Sequence, residues 1–164
     1  MGVSALLSEF PKDEFEDFKS AGLFTTFDHI HPHPLLKNLS VYNSNDLLSV
    51  SLGKRWFYVD LVFGDLDEPL RSTIMGDYHY PDAAEKGIDE GGYLYEGFVL
   101  PETVKKISEL SEKFSRSKII TELQKHSLVA NVDFEEDAIE AFYLLFRFYD
   151  DVAKRGNAVA ILLS

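Results

Sequence analysis

At 164 residues, 45% apolar and without a cysteine, the chain is long enough to bury one core unaided. It carries no disulfide, thiolate metal site or cysteine nucleophile. Its 28 acidic side chains against 16 basic ones give a net charge of −12, which repels phosphate backbones and anionic lipid and so argues against nucleic-acid and membrane partners.

Taken along the chain, residues 2–8 read as a short strand. Pro11 opens a helix to about Ala21, with Phe15 and Phe18 inward, Asp13 and Glu14 at the positive end of the dipole, and Gly22 as the stop. Residues 23–45 are irregular, because Pro32 and Pro34 forbid a helix and hold His31 and His33 extended. Asn43-Ser44-Asn45-Asp46 reads as a turn and cap for a short helix from Asp46 to Leu52, ended by Gly53. Lys54 to Phe63 fits two periods: Trp56, Val59 and Phe63 share a helical face, while Val59, Leu61 and Phe63 fit a strand. Pro69 to Met75 predicts a short helix stopped by Gly76, then a polar loop over 77–92 and a strand from Tyr93 to Val99.

Pro101-Glu102 begins a helix through Val104, Ile107, Leu110 and Phe114, and another follows from Ser117. Asp133 with Glu136 has the spacing of a capping box, opening the longest helix, which runs to Lys154-Arg155 and stops at Gly156. Phe142, Phe146, Tyr149 and Ala153 line one row of it, and Ala138, Ala141, Leu145, Phe148 and Val152 the next. Only a narrow polar stripe remains, so this helix belongs to the core or to a subunit interface. Asn157 to Leu163 returns as a buried strand. The expected fold is a single α+β domain over 1–164: a small, mostly antiparallel sheet covered by several helices, with a long C-terminal helix followed by a final strand. The 13 phenylalanines and 8 tyrosines predict a core built on rings.

Lys54-Arg55-Trp56, then Pro69-Leu70 with Ile74-Met75-Gly76, then Gly92-Tyr93 with Leu100-Pro101-Glu102-Thr103-Val104, and finally Phe148-Tyr149 with Ala153-Lys154-Arg155-Gly156-Asn157-Ala158-Val159 occur in an order that resembles the YfbM-like family. The opening Met1-Gly2 also fits. The resemblance covers residues 50–164 well and the earlier residues poorly. It implies an α+β fold in a small bacterial protein of unknown function, and it brings no reaction and no catalytic residue with it. Where members tend to carry a histidine four residues after the tryptophan, this chain has Asp60.

Three of the five histidines, His29, His31 and His33, alternate in one loop. In an extended segment they face one side and, with Asp28, offer ligands for Zn²⁺, Ni²⁺ or Cu²⁺. The prolines bias the loop to polyproline II, which splays alternate side chains apart, so a solvated loop is the stronger expectation. Asp77-Tyr78-His79-Tyr80 sets a histidine near a carboxylate, as general acid–base work requires, or is a loop packed by its own tyrosines. Asp60, beside Trp56 and Tyr58, is either a buried, perturbed carboxylate or a surface aspartate of an amphipathic helix. Asp89-Glu90-Gly91-Gly92-Tyr93 brings glycines and a ring to a strand entry, as a pocket wall or a plain turn does. No phosphate-binding glycine loop, nucleophile elbow or zinc-protease motif is present in the sequence.

Val3 to Leu7 lacks a preceding basic residue and is too short for a signal sequence, and Ala158 to Leu163 falls far below the roughly 20 residues of a membrane helix. A soluble, cytoplasmic protein is expected, without a cofactor, as a monomer or homodimer. Two function classes follow. One is a non-catalytic protein-binding module, immunity- or adaptor-like, whose partner is another protein. The other is a small-ligand-binding protein or hydrolase-type enzyme with a pocket near Trp56, Asp60, His79, Asp89 and Tyr93. Convergence of Asp60, His79 and Asp89 in one concave site favours the second.

Overall fold

The computed structural model describes residues 4–20, 47–63, 69–79, 95–126 and 132–163. Among these lie five strands, β1 (Ala5–Phe10), β2 (Ser49–Gly53), β3 (Tyr78–His79), β4 (Tyr95–Val99) and β5 (Ala158–Leu163). The described helices are α1 (Lys12–Ser20), α2 (Trp56–Phe63), α3 (Ser72–Met75), α4 (Pro101–Ser111), α5 (Arg116–Lys125) and α6 (Val132–Arg155). The strands form one antiparallel sheet in the order β2-β1-β5-β4-β3, so the α+β expectation is borne out.

The last strand occupies the middle of the sheet. β5 pairs with β1 from Ala5↔Leu163 to Phe10↔Ala158, and with β4 from Tyr95↔Leu163 to Val99↔Val159. Every residue of β5 is buried, which is why its sequence is an unbroken apolar run with no alternation. On one face Ala5, Leu7, Val99, Val159, Ile161 and Leu163 join the core that holds Phe142, Leu145, Tyr149 and Val152 of α6. On the other, the Phe10 ring meets Phe98 and Phe15 of α1 edge-on, at 6.4 and 6.5 Å between centroids. Both rows read on α6 are inside, with Ala153 only partly so, and α6 packs against α2, α4, α5 and β2. The broad apolar surface of this helix is therefore core.

Three local expectations change. Ser49–Gly53 is a strand rather than the end of a helix over 46–52. Its period is two: Ser49 and Ser51 face solvent, Leu52 is buried and Val50 partly so. Pairing with the open edge of β1, through Leu6↔Ser51 and Leu7↔Val50, satisfies a backbone that so short a helix would leave mostly unbonded. Within the polar stretch over 77–92, Tyr78–His79 joins the sheet through Phe98 and Gly97. The expected cap also shifts: α6 already includes Val132 and Asp133, so Asp133 stands inside the helix rather than ahead of it, and the Glu136 carboxylate is engaged by Arg116. α2 settles as a helix, burying Val59, Val62 and Phe63. No helix among the described residues is long and apolar enough to cross a membrane.

Candidate functional site

Three polar joints and one exposed aromatic face hold most of the described chemistry. The first joint is built on Glu9, which is 0% exposed near the end of β1. Its Oε2 accepts the Leu48 backbone N–H at 2.9 Å and the Arg155 Nη1 at 3.1 Å, while Oε1 accepts the Asn157 side-chain amide at 2.6 Å. Asn157 Oδ1 in turn accepts the backbone N–H of Lys12 at the start of α1. Gly156, at φ 70°, makes the turn that brings Arg155 and Asn157 to the same carboxylate. One cluster thus fastens the end of α6, the entry to β5, the end of β1, the approach to β2 and the start of α1. Arg155-Gly156-Asn157 is the most specific part of the sequence resemblance, and its partner Glu9 lies in the poorly resembling part.

The second joint is Asp77. Its Oδ1 accepts the Ser72 hydroxyl at 2.9 Å and its Oδ2 the Leu100 backbone N–H at 2.7 Å, while its own N–H donates to the Phe98 carbonyl. Asp77 therefore ties α3 to the β4–α4 junction. Beside it the fully buried Tyr149 hydroxyl donates to the Thr73 carbonyl at 2.7 Å. Burial first, then the charge of Asp77, pushes the Tyr149 phenol well above its ordinary value. The Thr73 hydroxyl is buried without a hydrogen-bond partner among the described residues.

Two substitutions here should act in opposite directions in urea denaturation. Tyr149→Phe removes a buried bond and should cost about 1–2 kcal/mol. Thr73→Val removes the unpartnered hydroxyl and should be neutral or stabilising by up to ~1 kcal/mol. Tyr149 also sets an alkaline limit. Its folded pKa is raised, so its contribution is complete below the unfolded tyrosine value and is lost as pH rises through the folded one. Between those points the unfolded chain has released a proton that the folded one still holds, so stability falls with pH. Tyr149→Phe should flatten that fall.

The third joint is Arg55, at the turn from β2 into α2. Its Nη1 reaches Glu140 Oε2 at 2.9 Å and Asp137 Oδ1 at 3.7 Å, and its Nε donates to the Leu52 carbonyl. Next to it, Tyr58 of α2 lies between the rings of Phe57, its neighbour in the helix, and Phe134 in the first turn of α6. Ring centroids are 6.2 Å apart for Phe57–Tyr58 and 6.4 Å for Tyr58–Phe134. Phe57 is 45% exposed and Phe134 48%. Burial, then the negative charge of Asp137, raises the Tyr58 phenol.

Of the site residues expected from sequence, Trp56 is partly buried against the core at the start of α2, and Asp60 is partly exposed on the same helix. His79 pairs through its backbone with Gly97. Asp89, Tyr93, His29, His31 and His33 lie outside the described residues, as does Gly92. No group of three or more metal-ligating side chains gathers among the described residues. Sequence reasoning missed Glu9, whose partners Arg155 and Asn157 are 146 and 148 residues away, and the exposed rings of Phe57 and Phe134. The signal for the rings was present, since Trp56-Phe57-Tyr58-Val59 packs more apolar surface around α2 than one buried face can hold.

No family model matches the sequence, and a search of curated proteins finds no match. Among solved structures, the crystal structure of YfbM from Escherichia coli, a protein of unknown function, aligns over 98% of this chain and 99% of its own, with a TM-score of 0.60 and 14% sequence identity. This chain has the YfbM fold. The resemblance read from the sequence is borne out at that level, and the likeness to YfbM in fold extends beyond residues 50–164 to nearly the whole chain. The residues that carried the resemblance sit at the joints: Arg55 on α6, Gly76 and Leu100 around Asp77, Tyr149 on α3, Arg155 and Asn157 on Glu9. They fasten this chain's elements to one another and name no reaction.

Proposed function

We propose that the protein is a non-catalytic, cytoplasmic protein-binding module, folding as one domain, that docks its partner on the rings of Phe57, Tyr58 and Phe134. The observation that carries this reading is the exposure of two phenylalanines, 45% and 48%, in contact with one tyrosine. Contiguous exposed rings are disfavoured on a monomer's surface and enriched at interfaces. Two elements distant in sequence, α2 and the start of α6, contribute to the face, and Arg55 fixes their spacing through Glu140. A second support is the use of Asp77: both its oxygens are bonded within the fold, which leaves it poorly suited to serve His79 as an acid–base partner.

The test is a photo-crosslinking phenylalanine analogue at position 57 in living cells, with the same analogue at the exposed Lys113 as control. Discrete protein adducts at position 57 that vanish on Phe134→Ser support the reading. Adduct patterns that are identical at both positions, or no adduct at position 57, overturn it.

A further inference from the structure

Resting on that docking reading, we infer that the occupant is a cationic segment of a different protein, its lysine or arginine side chains lying across the rings of Phe57, Tyr58 and Phe134 beside Asp137. The first ground is local charge. Phe134 is followed by Glu135, Glu136, Asp137 and Glu140, four carboxylates met by two guanidiniums, Arg55 and Arg116. Asp137 stands one helical turn from Phe134, so it borders the same face, and its charge is felt at the Tyr58 hydroxyl. Arg55 reaches it only at 3.7 Å, and 48% of its side chain remains in water.

The second ground is the pairing of rings with carboxylates. An aromatic face attracts a cation by its quadrupole, and a carboxylate at its rim neutralises the charge that burial would otherwise strand. The chain already uses half of this device internally, with Lys118 Nζ 4.3 Å from the Phe114 ring centroid. A purely apolar partner would instead bury the half-exposed Asp137 against no more than the 3.7 Å approach of Arg55, which is costly.

The third ground excludes a second copy of this chain. A two-fold contact sets each patch against itself, so acidic rim would face acidic rim on molecules that each carry −12. Nucleic acid is repelled by the same charge. A basic amphipathic segment of another protein meets both requirements, apolar surface for the rings and cations for the rim.

Two synthetic peptides test this, one of leucine and lysine at amphipathic helical spacing and one with glutamine in place of every lysine. Binding is read by calorimetry and by the fluorescence of Trp56, which begins α2 and is the chain's single tryptophan. The lysine peptide is expected to bind about tenfold tighter than the glutamine peptide, to lose about threefold in the double variant E135Q/D137N, and to lose most of its affinity in F57S/F134S. Circular dichroism confirms that the variants are folded. Equal binding of the two peptides, lost in F57S/F134S, keeps the docking face and overturns its cationic preference. Equal binding of the lysine peptide to wild type and F57S/F134S means non-specific attraction and overturns both readings, as does no binding by either peptide. A concentration-dependent dimer of the free chain, abolished by F57S/F134S, assigns the face to a second copy and overturns the inference.

Discussion

Glu9→Ala should cost about 3–4 kcal/mol, the scale for removing one member of a buried, hydrogen-bonded charge cluster. The change strands the Leu48 N–H and the Asn157 side-chain amide, both of which donate to the carboxylate. Arg155 is half exposed and recovers water, so its share of the loss is small. The more telling variant is Glu9→Gln, which keeps the shape. All three partners of the carboxylate are donors, so either orientation of a glutamine amide sets an NH₂ against one of them. Asn157 cannot flip to accept it, because its Oδ1 is held by the Lys12 N–H. Glu9→Gln should therefore lose about 2 kcal/mol despite near-identical volume. Adding Asn157→Asp supplies an acceptor to both Lys12 and the new amide and should restore part of the loss. Chemical denaturation of the three variants checks this. Wild-type stability in Glu9→Gln would remove Glu9 as the organiser of the joint.

The long elements were legible because their signals are local and repeated. α6 carries two apolar rows over six turns, and β5 has six apolar residues in succession after a glycine that turns the chain. β2 was not legible, because its Ser-Val-Ser-Leu alternation is short and the edge that completes it lies some 40 residues upstream in β1. The Glu9 cluster escaped for the same reason on a larger scale. Nothing around residue 9 announces that its carboxylate will be met by Arg155 and Asn157. Asp77 was legible as a carboxylate near His79, in an acid–base pair or in a loop packed by its own tyrosines, and not as the acceptor for Ser72 and Leu100 that it is in the fold. In each case the local residue type was informative about bonding capacity, and only the tertiary fold decided which partner used it.

The same limit explains why the motif residues do not disclose a function. A joint must hold specific donors and acceptors in place, so it imposes a recognisable sequence. A docking face made of rings needs only bulk and exposure, and so it leaves a weak pattern. The face therefore has to be sought where the fold exposes apolar surface that it could have buried, as it does at Phe57 and Phe134 and also at Leu6 and Tyr143; of these, Phe57 and Phe134 flank one shared ring, Tyr58.

Phe63→Ala should cost about 3–5 kcal/mol, the range for deleting a buried ring. The Phe63 ring is met by Phe114, Phe142 and Phe146 at 5.1, 5.3 and 5.9 Å between centroids, with the first two edge-on. These neighbours come from the segment after α4 and from α6, so the cavity would open where α2 is fastened to the body, and rigid rings collapse into it poorly. Phe57, six residues earlier on the same helix, offers the contrast. Its ring is half in water, so Phe57→Ala should change stability by no more than about 0.5 kcal/mol. The pair separates two uses of one side chain on one eight-residue helix. If Phe57→Ala instead destabilises the fold as strongly as Phe63→Ala, the exposed ring is part of the core's support and the docking face loses its centre. If it leaves denaturation unchanged while weakening the binding of the lysine peptide described above, the ring is present for a partner, and α2 joins the interior to the docking surface.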